Sequence, residues 1–311
     1  MIGGFAASLA SKSQCVGGPL AWVLWGHRMD RPSRSADTSV PFQDSEKVAS
    51  ATPQACGIAF MAKASVPGRT KTRLVPPLSF EEAAALNTAF LKDVAHNLLM
   101  AASHASPEAG IAGYAAYCPA GSEDFFNRTL PTEIGLIEAS LPNFGDCLLH
   151  TIEIILARGH GSAVVLNSDS PTLPTALLIE TAAVLAQPGD RAVLGPSTDG
   201  GYYLLGLKAP HRRLFADIAW STEHVAEQTL ERAREIGLEV HTLPAWYDVD
   251  DVDTLRRLHT ELFGDDSRSQ RSDGRRPHHA IATAELISSL WREGGFGLRL
   301  EGDMSIERMR A

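Results

Sequence analysis

The chain has 311 residues, 44% of them hydrophobic and 21% charged, and a formal net charge of −9, a composition that reads as soluble and globular with a sizeable core. That acidic balance argues against broad attraction to DNA, RNA or anionic membranes, which needs a basic face to neutralise phosphates. The four cysteines, Cys15, Cys56, Cys118 and Cys147, form no Cys-x-x-Cys pair, so neither a zinc site nor a disulfide framework is expected and a reducing cytoplasm fits best.

No stretch reaches the roughly 18 to 20 apolar residues that cross a bilayer. The mildly apolar run from Gly17 to Trp25 has no basic segment before it, so a signal peptide is not expected. Residues 1–55 mix Gly, Ser, Pro and charges without period and read as a disordered N-terminal extension. From Cys56 to Phe263 short strand-like runs alternate with helical periodicity, the signature of an α/β domain built on a mostly parallel sheet. Cys56 to Ala62 reads as a buried first strand. Ser79-Phe80-Glu81-Glu82 is a capping box, and Leu86, Phe90, Val94 and Leu98 then recur on one helical face.

Ile111 to Tyr117 reads as a second strand, Gly145 to Arg158 as a helix, and Ser162 to Leu166 as a fully buried central strand. A helix follows with Pro174 at its first position. Arg191 to Leu194 and Tyr202 to Leu207 are expected strands, Thr222 to Ile236 a helix, Leu238 to Leu243 a strand, and Val252 to Leu262 a closing helix. Residues 264–311 read as a polar linker and a short helix from about Ile281 to Arg292, with His278 and His279 in the tail.

Four segments carry residues suited to chemistry, and all fall where strands end, the place ligands occupy in open α/β sheets. The loop after the first strand holds Lys63, Arg69, Lys71 and Arg73. Its glycine permits close backbone approach and its cations suit phosphate oxygens, although a merely solvated basic loop would look the same. It is no Walker A loop, because Gly-Lys-Ser/Thr is missing.

Asn167-Ser168-Asp169-Ser170-Pro171 offers a carboxylate for Mg²⁺ or Mn²⁺, or else a helix-capping turn. In Trp246 to Asp253 an extended chain puts Asp248 and Asp250 on one side, where both could face the same metal, while Asp251 is free to cap the helix. Asp199-Gly200-Gly201-Tyr202 reads as a hairpin turn, and in context Asp199 could serve as a general base toward an acceptor hydroxyl.

In this order Lys71-Thr72-Arg73-Leu74, Ser168-Asp169-Ser170-Pro171, Gly195-Pro196 through Tyr202, Trp220-Ser221-Thr222 and Asp248-Val249-Asp250 resemble domain-of-unknown-function family 2064, a GT-A-like bacterial family. Its members are often labelled glycosyltransferases, and some are linked to arsenosugar biosynthesis. The resemblance spans about Gly57 to Phe263. It implies a GT-A-like, nucleotide-diphospho-sugar transferase fold: a three-layer sandwich around a mostly parallel sheet. It also implies Asp169 as metal ligand with Asp248 or Asp250 as partner.

Where relatives read Gly-Asp-Leu-Gly-x-Arg, this chain reads Gly145-Asp146-Cys147-Leu148-Leu149-His150, which leaves that arginine's role unfilled. The expectation is a metal-dependent glycosyltransferase with Lys63, Arg69, Lys71 and Arg73 toward the nucleotide. Gly200, Gly201, Tyr202, Trp220, Ser221 and Thr222 would form the acceptor side. The alternatives are a nucleotidylyltransferase, similar to guanylyltransferases of this fold group and using the same metal site on an NTP, and a silent nucleotide-binding regulator.

Overall fold

A computed structural model describes residues 55–264, 274–293 and 295–300. The expected N-terminal extension, apart from Ala55, lies outside the described residues, as do residues 265–273 of the polar linker. The strands are β1 (Cys56–Lys63), β2 (Ile111–Cys118), β3 (Gly135–Glu138), β4 (Ser162–Leu166), β5 (Arg191–Pro196), β6 (Tyr202–Leu207) and β7 (Glu239–Thr242). The helices are α1 (Phe80–His104), α2 (Glu123–Thr129), α3 (Phe144–Ala157), α4 (Thr175–Ala186), α5 (Val225–Glu235), α6 (Val252–Phe263) and α7 (Ile281–Glu293).

The seven strands form one sheet in the order β3-β2-β1-β4-β6-β5-β7, with only β6 antiparallel to its neighbours. Its centre is buried on both faces, and the two-residue alternation of a strand divides the side chains between two layers. Ile58, Phe60, Val164 and Leu166 face a core shared with α1, α4, α6 and α7. Ala59, Ala163 and Val165 face the opposite core under α3 and α5. The result is the expected three-layer α/β sandwich. Among the described residues no helix is long and apolar enough to cross a membrane.

The capping box of α1 is present: the Glu82 amide donates to the Ser79 hydroxyl at 3.2 Å and the Ser79 amide to the Glu82 carboxylate at 2.7 Å. Two expectations shift. Pro174 is the N-cap of α4 rather than its first helical residue. The helix expected from Thr222 starts at Val225, because Trp220 to His224 first makes a turn in which Ser221 has φ 72° and the Thr222 hydroxyl donates to Ala219 O at 2.8 Å. The short α2 and β3 were not anticipated.

Residues 274–293 and 295–300 are part of the packed structure. Ile287, Phe296 and Leu300 lie in the α1-side core. The buried Asp93 carboxylate of α1 accepts from the Ala282 and Thr283 amides, each at 2.8 Å, satisfying orphan donors at the start of α7. His278, expected in the tail, is only 8% exposed and lies 3.4 Å from His96, nitrogen to nitrogen.

Burial, reinforced by His96 and His279, lowers the His278 pKa from 6.5 to about 4. The unfolded chain therefore binds a proton that the folded chain refuses, so this residue's stability contribution is complete above pH 6.5 and is lost as pH falls toward about 4. We expect stability in urea to fall by at most about 2 kcal/mol from this group between about pH 7 and pH 5, and by less in His278→Gln; identical pH profiles would remove the assignment.

Candidate functional site

Because every strand except β6 points the same way, the loops leaving β1, β4, β5 and β7 meet at one rim of the sheet. The loop after β1 is shaped locally. Thr70 exchanges hydrogen bonds with Val66, its hydroxyl donating to Val66 O at 3.1 Å and accepting from the Val66 amide at 3.3 Å. Asn87, on the inner face of α1, donates to Lys63 O at 3.1 Å and to the Ser65 hydroxyl at 2.9 Å. Lys63 Nζ in turn donates to Arg69 O at 3.0 Å.

This folding leads the chain to Lys71, whose backbone adopts φ 50° and ψ 36°, a left-handed conformation uncommon outside glycine. Its side chain turns inward and is 6% exposed. The ammonium pairs with Asp169 Oδ1 at 2.9 Å and Asp250 Oδ1 at 3.0 Å, donates to Val249 O at 2.7 Å, and lies 5.3 Å from the Phe90 ring centroid. Burial depresses the Lys71 pKa, but the two carboxylates outweigh it and the net shift is upward.

The carboxylates reach this point from distant segments. Beyond β7 the chain continues alongside the end of β5: the Trp246 amide donates to Pro196 O at 3.1 Å and the Thr198 amide to Trp246 O at 2.9 Å. It then crosses to the end of β4, where the Ser170 hydroxyl donates to Tyr247 O at 2.8 Å and the Val249 amide to Asp169 O at 2.9 Å.

That crossing separates two residues the alternation put together. Asp248 lies beside the β5 end and accepts from the Ser197 hydroxyl at 2.8 Å, whereas Asp250 lies beside the β4 end and meets Lys71. Of the expected set of Asp169, Asp248 and Asp250, it is Asp169 and Asp250 that the Lys71 ammonium brings together. Among the described residues no three His, Cys, Asp or Glu side chains gather to hold a metal by themselves. Asp251 caps α6, accepting from the Thr254 amide at 2.8 Å.

Two adjoining pockets open at this rim, divided by Met61, Ser168 and Asp169, which line both. One, with about 560 Å³ of empty space, has Lys63, Thr70, Lys71 and Asn87 in its wall. The other, with about 500 Å³, is apolar and aromatic, lined by Phe144, Leu148, Tyr202 and Trp220. Trp220 meets Phe144 edge-on at 5.4 Å and Tyr202 at 6.5 Å between ring centroids. Gly145 permits this, since a Cβ there would come within 2.8 Å of the Trp220 ring.

Two polar groups of the apolar pocket's lining are buried without hydrogen-bond partners: both amide atoms of Asn167 and the Tyr202 hydroxyl. Burial also holds the Tyr202 pKa far above its usual range. Buried polar atoms of this kind cost free energy until water or a ligand completes them.

Not every expected residue reaches these walls. Arg69 and Arg73 are exposed on the loop. Asp199 stays in the β5–β6 turn, where its Oδ1 accepts from the Gly201 amide at 3.1 Å, and it lines neither pocket. Gly200, at φ 89°, carries the turn against the Glu223 backbone, where a Cβ would lie 2.0 Å from Glu223 O. Ser221 and Thr222 turn the chain behind Trp220. Asn87, Phe144, Leu148 and Asn167 were not singled out from the sequence. A polar Asn87 on the apolar face of α1 was the available signal for one of them.

Residues 102–222 match the family described as "Uncharacterized protein conserved in bacteria (DUF2064)". No curated protein matches the chain. Among solved structures, a protein from Desulfovibrio desulfuricans G20 named as a candidate nucleotide-diphospho-sugar transferase superposes with a TM-score of 0.62 at 26% identity, over 77% of this chain and 96% of that one.

A cytidylyltransferase from Leptospira borgpetersenii serovar Hardjo-bovis gives 0.44 at 11% identity, over 78% and 96% of the two chains. Rv0371c of Mycobacterium tuberculosis H37Rv, solved in complex with manganese, gives 0.36 at 16% identity, over 66% and 97%. Likeness at those last two scores says nothing of this chain's chemistry. The match over residues 102–222 and the fold shared with the Desulfovibrio protein agree with the GT-A-like bacterial family that the motifs resemble.

Proposed function

We propose that the chain is a metal-dependent glycosyltransferase that takes a nucleotide-diphospho-sugar donor and a small-molecule acceptor. One observation carries the reading: Asp169 and Asp250, far apart in sequence, meet beside Lys71 at the boundary between a basic pocket and an aromatic one. A hard divalent cation such as Mg²⁺ or Mn²⁺ binds through one or two carboxylates completed by substrate phosphate oxygens, and the Asp169/Asp250 pair fits that donor set. Held there, the cation would neutralise charge on the departing nucleoside diphosphate.

The remaining work belongs to the chain's own residues. Lys63 and Lys71 supply cationic donors for the diphosphate, and Asn87 fixes the loop that carries them. The aromatic pocket takes the second reactant: Phe144, Trp220 and Tyr202 give apolar contact and exclude water, while the Asn167 amide and the Tyr202 hydroxyl need polar partners. The name of the Desulfovibrio protein, a candidate nucleotide-diphospho-sugar transferase, adds support at 26% identity.

Purified protein incubated with Mn²⁺ and a panel of nucleotide-sugars and NTPs should release nucleoside diphosphate from a nucleotide-sugar. Pyrophosphate release from an NTP would instead establish nucleotidyl transfer, and no release from any compound would favour a silent nucleotide binder. Asp169→Asn and Asp250→Asn should each weaken Mn²⁺-dependent nucleotide binding by about 100-fold or more in calorimetry; unchanged affinity would remove the metal assignment. Trp220→Ala should raise the acceptor KM about tenfold with little change in donor KM, and the reverse pattern would assign the aromatic pocket to the donor.

A further inference from the structure

We propose that Lys71 is a built-in counter-cation that occupies the Asp169/Asp250 pair until a divalent cation replaces it, and that its release then supplies the phosphate-binding charge of the neighbouring pocket. The inference rests on the metal-dependent reading above and adds an order of events to it. An ammonium group has three donors. In Lys71 these find three acceptors, on Asp169, Asp250 and Val249. The lysine is therefore fully engaged with the carboxylates that a metal would require, and not with the open pocket it lines.

Charge and burial explain why this arrangement exists. Asp169 and Asp250 are both less than a tenth exposed, and two carboxylates so placed repel each other strongly without a counter-charge. Lys71 brings one positive charge against two negative ones. It holds the pair together but leaves it better matched to a doubly charged ion.

Lysine and divalent cation are also rivals, since each would lie against the same oxygens and repel the other. The backbone is set for exchange. Lys71 holds its place with a left-handed conformation that a non-glycine residue adopts at a cost, and the loop leading to it is anchored by Thr70 and Asn87. Once released, its ammonium stands among Lys63, Thr70 and Asn87 in the basic pocket, where an anion would receive it. Metal and nucleotide should accordingly help each other to bind: the metal frees the lysine, and the phosphates give the lysine somewhere to go.

The test is Mn²⁺ binding by the full chain, read as loss of the free-ion electron paramagnetic resonance signal, without and with a nucleoside diphosphate. Lys71→Met removes the rival charge at similar volume, so it should bind Mn²⁺ about tenfold tighter than the unmodified chain when nucleotide is absent. It should also show a smaller gain from added nucleotide. In EDTA it should melt at a lower temperature than the unmodified chain, and Mn²⁺ should raise its melting temperature by more. Asp250→Asn in the Lys71→Met background should abolish the Mn²⁺ binding.

Equal or weaker Mn²⁺ affinity in Lys71→Met would overturn the counter-cation role while leaving the metal site standing. No Mn²⁺ binding by either folded chain, with or without nucleotide, would overturn the metal reading and this inference together. Lys71→Gln, which keeps a donor for Val249 O, carries the same comparison if the methionine variant does not fold.

Discussion

The structure turns on a single ammonium group buried between two carboxylates. Lys71 comes from the loop after the first strand, Asp169 from the end of the central strand, and Asp250 from the segment before the last helix of the sandwich, 179 residues away from the lysine. Buried charges are tolerated only when paired and hydrogen-bonded. The cluster meets that condition through the backbone as well, since Lys71 reaches Val249 O and the Val249 amide reaches Asp169 O. A group of this kind contributes little net stability, but it fixes where three segments stand relative to one another.

The sandwich supplies the geometry that makes the meeting possible. Parallel strands deliver their carboxyl ends to one rim, and both faces of the sheet are closed by helices, so the rim is the natural opening for a ligand. The segment from Trp246 to Asp250 completes it by running from the end of β5 to the end of β4, with Trp246, Tyr247 and Val249 anchored in the core. Two pockets of opposite character then share Asp169 as a boundary. In the proposed reaction that boundary is where the diphosphate and the group being transferred would be parted.

Much of this was legible in the residues, for identifiable reasons. The central strand Ser162 to Leu166 is a continuous apolar run buried on both faces, and its bounds agree with those read from sequence. The Ser79/Glu82 capping box fixed the start of α1 because the signal is local and chemical. The β3 strand escaped notice because it is four residues long and only partly buried. His278 was read as part of a polar tail, since nothing local announces that Asp93, 190 residues away from Thr283, caps the helix that follows it.

The site was legible in composition but not in pairing. The rule that alternate residues of an extended chain share a side puts Asp248 and Asp250 together, but it does not reveal that Asp248 meets Ser197 while Asp250 meets Lys71. Lys71 reads from sequence as a phosphate ligand; its left-handed backbone and its pairing with the two carboxylates are invisible in Thr70-Lys71-Thr72. Asp199, a candidate base in the sequence, has its Oδ1 bonded to the Gly201 amide of the hairpin turn.

The central claim is that Asp169 and Asp250 form a divalent-cation site at the sheet rim. Its most direct test is a crystal grown with Mn²⁺ and a nucleoside diphosphate, with anomalous scattering used to locate the metal. One peak should lie within coordination distance of both carboxylates, beside the diphosphate, with the Lys71 ammonium withdrawn from the pair. A nucleotide bound at the rim with no metal between these residues, or with Lys71 still seated there, would contradict it.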